Sequence, residues 1–523
     1  MGESRRSHGP LRSAARDATM NNEFAHRVRH VLRTEGLTPA LQSGGVWYRW
    51  SEFDAVAAAL EAALVASQVA GNAPVALILR NRPAGVAGLL GLAANQRPAV
   101  LVSPLQPAEA LRRDLERLKP AVIAAESQDW TEDLAYISAT IGAVGLELHS
   151  SAARLGLTIV RNLDRVSAGT HYVLPDDVGI VIPTSGTTGP AKRIPLHWRA
   201  LRAYLPHDHG HVPPENRRTT VIAAPLVTIT GLGPLLSWAT RPLKLGLMER
   251  LDVRAWAALV HELRPKQAGL PPAAMRMMLD SDIPPEQLSS LECWYTGAAS
   301  LDPAIAEAFE ARFLVPVLQA YGATEFGGAV AGWTLADHRD FAARKRGSAG
   351  RAYPGWELRI VDPESEAPVG PNNSGIIEVR MATAGVAGAD NWIRTNDLAR
   401  IDEDGFLYIA GRADDVIIRG GFKVPMFEVA RVIEEHPAVN QAAGVGLPDI
   451  RLGEVPAVAV TLKAGVSRPS EAELIAWARA RLAPYNVPVL IETVDELPTN
   501  ASMKVSRPLL RKLLDGAAKS RRQ

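Results

Sequence analysis

From residue 75 onward, short apolar runs alternate with segments of helical period. That alternation restricts the chain to few folds. Residues 75–79 (VALIL) read as a buried strand, 84–94 as a helix and 99–103 as a second strand. The rhythm recurs in a 112–118 helix and a 121–125 strand, then in 221–224, 254–263 and 266–269. Parallel neighbours cannot be joined by a hairpin, so strand–helix–strand repetition predicts an α/β fold, a parallel sheet with crossover helices. Ahead of it, Phe53, Val56, Leu60 and Leu64 recur at helical spacing within 51–69. Residues 406–410 and 416–418 read as short strands around a Gly-Arg turn.

The texture changes after about residue 414. A helix at 427–436 is followed by strands at 441–447 and 455–462. A helix at 471–482 opens after Ser470, a plausible cap, and stops before Pro484; a last strand covers 489–494. The reading is a large N-terminal domain over 26–412 and a small α+β domain over 413–515, the usual size of a small domain. Residues 1–25 are expected to be a disordered arm and 516–523 a basic tail, solvated and disordered over 519–523.

The sharpest local signal follows the apolar run 178–182. Six small residues, Thr184, Ser185, Gly186, Thr187, Thr188 and Gly189, lead through Pro190 and Ala191 to Lys192. Glycine reaches φ > 0 and lets backbone approach a ligand closely. Successive N–H groups can form an anion nest, the hydroxyls add donors and Lys192 adds a charge, which is chemistry for a polyphosphate. The spacing is not that of the G-x-x-x-x-G-K-[ST] loop. Three further clusters lie downstream. An apolar run ends at Tyr321-Gly322, then Thr324 and Glu325: an aromatic for a purine face, a hydroxyl for phosphate, a carboxylate for a hard cation. Small residues Gly297, Ala298 and Ala299 would let a flat group lie against backbone. Asp397 can accept from two ribose hydroxyls, and Arg412 offers a fork of donors.

These segments resemble the motifs of the adenylate-forming superfamily, the acyl-CoA synthetases and their relatives. TSGTTG at 184–189 with Lys192 is similar to T-S-G-T-T-G-x-P-K-G, with Ala191 and Arg193 departing from it. Tyr321 to Glu325 is similar to Y-G-x-T-E. Residues 392–398 and 408–415 are similar to Y/F-R-T-G-D-L and G-R-x-D-D/K, with Asn396 for Gly. Lys504 matches the lysine of P-x-x-x-x-G-K-[IV]-x-[KR], with Met503 for Gly. The resemblance covers about residues 45–510. It implies a mobile C-terminal lid with a hinge at Asp414, and ATP or AMP held by residues 184–189, Lys192, Gly297, Ala298, Ala299, Tyr321, Gly322, Thr324, Asp397 and Arg412. It also implies Mg²⁺ at Glu325, catalysis by Lys504, Thr324 and Glu325, and a thiol tunnel at Gly420 and Gly421, where Pro425 lies one place early.

Residues 224–231 align with a P-x-F-H-x-x-G segment beside the acid. Val227 and Thr228 replace its aromatic and histidine, and the Asp of amino-acid-activating domains is absent, which disfavours an amino acid. The acid pocket is expected at Thr228, Gly297 and Gly322. The implied activity is conversion of a fatty or aryl acid to acyl-AMP and pyrophosphate, then transfer to coenzyme A. A carrier-protein phosphopantetheine as acceptor and a non-catalytic nucleotide-binding relative stand as alternatives.

Composition bounds the rest. Across 523 residues, 57 Lys and Arg balance 56 Asp and Glu for a net charge of +1, so nothing points to nucleic acid. One cysteine, Cys293, excludes a disulfide scaffold and permits a reducing compartment. The most apolar stretch, 75–102, is broken by Arg80, Arg82 and Arg97, so no membrane span is expected, and a cytoplasmic protein is. His207, His209 and His211 sit in a Pro-rich segment and are not read as a metal site, nor is Cys293 read as a nucleophile.

Overall fold

The computed structural model describes residues 23–151, 154–167, 171–183, 192–206, 219–299, 301–381, 392–500 and 504–521. Within them the chain builds five sheets. The largest has seven strands. Its parallel centre runs Val122–Glu126, Val75–Ile78, Ala99–Val102 and Val178–Pro183 in that spatial order. Val144–Ser151 continues it in parallel beside Val122–Glu126, and antiparallel Arg193–His197 and Arg154–Ile159 close the two edges. The central strands are buried on both faces, as parallel strands covered by crossover helices must be.

Helix Pro83–Ala94 is buried along its whole length. It is apolar all round, and its glycines allow close approach: a Cβ at Gly88 would lie 2.6 Å from Leu148, and one at Gly91 3.1 Å from the Ala57 backbone. It packs on helix Trp50–Ala66, whose Trp50 stacks on Trp238 at 4.5 Å between ring centres. A second core surrounds Trp256, Trp294 and Phe309.

The second sheet orders Gln267–Ala268, Cys293–Gly297, Val317–Ala323, Gly328–Gly332 and Arg351–Ala352. Its first three strands are parallel and the last two antiparallel. A four-stranded sheet places Lys244–Leu247 between Thr219–Ile222 and Pro39–Ser43. Another joins Trp356–Val361, Gly375–Met381, Ile393–Ile401 and Leu407–Arg412, all antiparallel. After the single turn Ala413–Asp415 comes the last sheet, built on the long hairpin Val439–Asp449 and Gly453–Leu462. The α/β class with a small C-terminal α+β unit is the architecture observed.

Both chain ends need correction. Helix Glu23–Thr34 carries Phe24 and Ala25, expected in the arm, into the core. Of the tail expected to be solvated and disordered, Lys519, Ser520 and Arg521 are exposed but ordered: Lys519 and Ser520 end helix Arg507–Ser520, which packs Leu510 and Leu514 on the last sheet, and Arg521 pairs with Glu471 and Glu492. Among the described residues no helix is long and apolar enough to cross a membrane.

Candidate active site

Two parallel strands, Cys293–Gly297 and Val317–Ala323, end side by side, with Gly297 opposite Ala320. Ligands in open α/β sheets gather outside such carboxyl ends. Close approach of chains fixes the residue type here. A Cβ at Gly297 would lie 2.7 Å from the Ala320 carbonyl, and one at Gly322 2.1 Å from that of Gly328. Ala298 takes φ +66° as the chain leaves the sheet. Beyond Ala323, the turn Thr324–Phe326 reverses the chain into Gly328–Gly332 and sets Thr324 and Glu325 on the wall of a cleft of about 4290 Å³.

The adjoining wall comes from the antiparallel sheet. Register sets Asp397 opposite Arg412, with Nη1 3.6 Å from Oδ1. Tyr321 donates its hydroxyl to Asp397 Oδ2 at 2.6 Å. Thr395 Oγ1 accepts from the Asp397 N–H at 3.0 Å and fixes the turn of the strand. Burial, and then the Asp397 charge, push the Tyr321 phenol well above its ordinary range, so it stays a donor. The aromatic, the carboxylate and the guanidinium therefore form one unit, although the sequence supplies them from three places.

Lys504 arrives from the small domain. Thr499 bridges to Val505, the Asn500 N–H bonds the Lys504 carbonyl at 2.8 Å, and the Lys504 N–H bonds Asn500 Oδ1 at 3.1 Å. The side chain is open to solvent but walled by the cleft. That partial burial lowers the ammonium pKa, Arg412 lowers it further, and Asp397 and Glu325 oppose them. Lys504 lines the same cleft as Arg412, Asp397 and Glu325. Close by, Arg507 pairs with the buried Asp415, and Phe427 packs on Gly411, where a Cβ would meet its ring carbon at 3.3 Å.

The cleft is also lined by Lys192, Gly297, Ala298, Ala299, Gly322 and Thr228. Residues 184–189 lie outside the described residues, as do His207, His209 and His211. The strands that flank the loop are paired, Pro183 with Arg193, and both Pro183 and Lys192 face the cleft. Thr228 stands at the N-cap of helix Ile229–Ala239, with its hydroxyl donating to the Pro225 carbonyl at 2.7 Å. Asp414 sits within Ala413–Asp415. Gly420 and Gly421 form the tip of the hairpin Val416–Arg419 and Phe422–Pro425, and are not brought to this cleft. Cys293 is buried, and burial pushes its thiol up, which suits a core residue.

Other residues shape the site without a motif to announce them. The Asn81 amide donates to the carbonyls of Ala224 and Met248 and accepts from the Leu226 N–H, holding the loop before Thr228. Tyr204 donates to the Gly327 carbonyl, tying the turn Arg202–Tyr204 to the turn after Glu325. Among the described residues no group of three or more His, Cys, Asp or Glu could hold a metal alone. A single carboxylate at Glu325 beside the Thr324 hydroxyl fits Mg²⁺, which keeps waters and takes phosphate oxygens with one or two carboxylates.

Comparison with known proteins agrees with this geometry. Residues 28–387 match the AMP-binding enzyme family and 428–504 its C-terminal domain. A ligase of Mycobacterium tuberculosis named 3-[(3aS,4S,7aS)-7a-methyl-1,5-dioxo-octahydro-1H-inden-4-yl]propanoyl:CoA ligase is 33% identical, over 67% of this chain and 69% of its own. The 2-succinylbenzoate–CoA ligase of Geobacillus kaustophilus is 31% identical, over 71% and 80%. The match to the Rhodococcus jostii ligase of the first name spans 66% of that protein. Among solved structures, ATP-bound MatB from Rhodopseudomonas palustris superposes with a TM-score of 0.77 at 21% identity, over 94% of this chain and 98% of its own. The chain belongs to the AMP-binding enzyme family, the adenylate-forming superfamily, and is a ligase of its acyl-CoA synthetase type.

Proposed function

We propose that the protein activates a carboxylic acid with ATP and passes the acyl group to coenzyme A. A carboxylate oxygen would attack the α-phosphorus, and the bond to pyrophosphate would break, giving acyl-AMP. The thiol sulfur would then bond to the acyl carbon as AMP leaves and the thiol proton passes to solvent. The observation that carries this reading is the convergence of Tyr321, Asp397 and Arg412 with Glu325 and the lid's Lys504 on one cleft.

The assigned roles follow the family resemblance and agree with donor and acceptor chemistry. Asp397 accepts from the ribose hydroxyls, Arg412 donates to ribose or phosphate, and Tyr321 covers adenine while steadying Asp397. Residues 184–189 and Lys192 hold the β- and γ-phosphates. Thr324 donates to the α-phosphate, and Glu325 with Thr324 would hold Mg²⁺, which supplies charge neutralisation on the phosphate oxygens. Lys504 meets charge that shifts at the α-phosphate during reaction, where a preorganised ammonium stabilises the transition state more than the ground state. Gly420 and Gly421 would line the thiol path only after the lid turns about Asp414.

A fatty or aryl acid is favoured. Thr228, Ile229, Gly233, Pro234, Gly328 and Ala329 are among the residues that line the cleft, and none of these six carries a carboxylate to hold an amine. The named CoA ligases among its relatives support the same class. A cytoplasmic setting belongs to the proposal. The test is AMP release over a panel of fatty, aryl and short-chain acids, with coenzyme A, with phosphopantetheine on a carrier protein, or with no thiol. Acid-dependent AMP release stimulated by coenzyme A is expected. Stimulation by the carrier alone would move the acceptor to that protein. No release with any acid would favour a non-catalytic nucleotide-binding role.

A further inference from the structure

Arg276 lies outside the cleft motifs, on helix Pro272–Leu279 of the large domain, and its side chain is only 16% exposed. It donates to the backbone carbonyl of Asn440, which belongs to the small domain's strand Val439–Asp449. Asp302, the N-cap of helix Pro303–Phe313, stands 4.0 Å from its other nitrogen. Across the junction Glu434, which accepts from the Ala442 N–H at 2.9 Å, feels the Arg276 charge. A mostly buried guanidinium thus crosses the domain junction between a carbonyl and two carboxylates. The exposed pair Lys423–Glu364, also across the junction at 3.5 Å, contributes little by comparison because water screens it.

The strand gripped by Arg276 leads to the active site. From Asn440 it runs to Val445 and Gly446, which line the cleft about 20 Å further along at ~3.3 Å per residue. Ala443, Val445 and Leu447 pack against Leu510 and Leu514 of helix Arg507–Ser520. That helix begins three residues after Lys504. Strand, helix and lysine are therefore one packed body, and a restraint at Asn440 fixes where Lys504 points.

We propose that Arg276 is a positioning residue for the adenylation step: it latches the small domain in the orientation that brings Lys504 into the cleft lined by Asp397 and Glu325, and it must release Asn440 before the thiol step. The inference rests on the proposed acid activation for its kinetic consequence, but not for the latch itself. The acceptor is a carbonyl available in every sequence, so the latch is set by where the guanidinium lies.

The test uses Arg276→Met, which keeps bulk and removes the donors, with Arg276→Lys as the conservative variant. Acyl-AMP formation should fall about tenfold in Arg276→Met, the size of one charge-assisted hydrogen bond, and partly recover in Arg276→Lys. Thioester formation from supplied acyl-AMP and coenzyme A should stay at the wild-type rate, which also shows that the variant folds. In a Lys504→Ala background, Arg276→Met should have no further effect on adenylation, since effects acting through one group are not additive. Spin labels on the exposed Leu314 and Ile450 report the latch without catalysis: one distance in the wild type should broaden in Arg276→Met. An unchanged distance, equal loss in both steps, or a full additional loss beside Lys504→Ala would each overturn the proposal. A broadened distance in a protein that activates no acid would keep the latch and refute the activity instead.

Discussion

Tyr321 and Asp397 show how a single hydrogen bond joins two distant segments into one binding unit. The bond is 2.6 Å, from a phenol held protonated by burial to a carboxylate shared with Arg412. Tyr321→Phe keeps the ring and loses only that bond, so the KM for ATP should rise about tenfold while thermal stability changes little. An unchanged KM would mean that Asp397 is steadied by Arg412 and the backbone alone. Glu325→Gln keeps shape and removes the charge proposed to hold Mg²⁺; acyl-AMP formation should drop about 10²-fold or more, with partial recovery at high magnesium. Lys504 carries a sign of its own. Its pKa is lowered by burial and by Arg412, and only the ammonium can meet developing charge. The adenylation rate should therefore fall on the alkaline side below the ordinary lysine range, whereas thioester formation from supplied acyl-AMP should not share that limb.

At the scale of an element, the end of strand Val122–Glu126 carries a carboxyl that is 5% exposed. Burial pushes Glu126 up to about 7, against the pull of Arg82 at 3.6 Å. The folded form thus holds a proton between about 4.5 and 7 that the unfolded chain gives up, so stability falls as pH rises through that window. Glu126→Gln should remove that slope and stabilise the large domain above pH 7 by on the order of 3 kcal/mol, measured by urea unfolding at pH 5 and pH 8. A variant whose stability falls with pH as steeply as the wild type's would exclude Glu126 as the source. The elements themselves were legible where burial is uniform or periodic: 75–79, 84–94 and 99–103 all fall on observed elements, because fully apolar runs have few other uses. The antiparallel sheet of residues 356–412 was read only at its last strand, since Trp356–Val361 is half-buried along most of its length and shows little contrast between faces. The C-terminal helix escaped because it buries just Leu510 and Leu514 among charges, and its end is fixed by ion pairs to residues far away in sequence. Asn81 and Arg276 were illegible for a further reason: their partners include backbone carbonyls, which leave no mark in a sequence.

At the scale of the whole molecule, the cleft needs two domains in one arrangement. The large domain supplies Tyr321, Glu325, Asp397 and Arg412, and the small domain supplies Lys504 through the lever that Arg276 grips. If the lid turns between the two steps, Lys504→Ala should suppress acyl-AMP formation by about 10²–10³-fold, the usual loss for one preorganised contact, and leave thioester formation from supplied acyl-AMP near wild type. Equal loss in both steps would make Lys504 a structural tie instead. The central claim, that the cleft joins a carboxylic acid to AMP, is tested most directly by exchange of labelled pyrophosphate into ATP with no thiol present. The account predicts exchange that requires both magnesium and a fatty or aryl acid; a folded, ATP-binding protein that exchanges no label with any acid would contradict it.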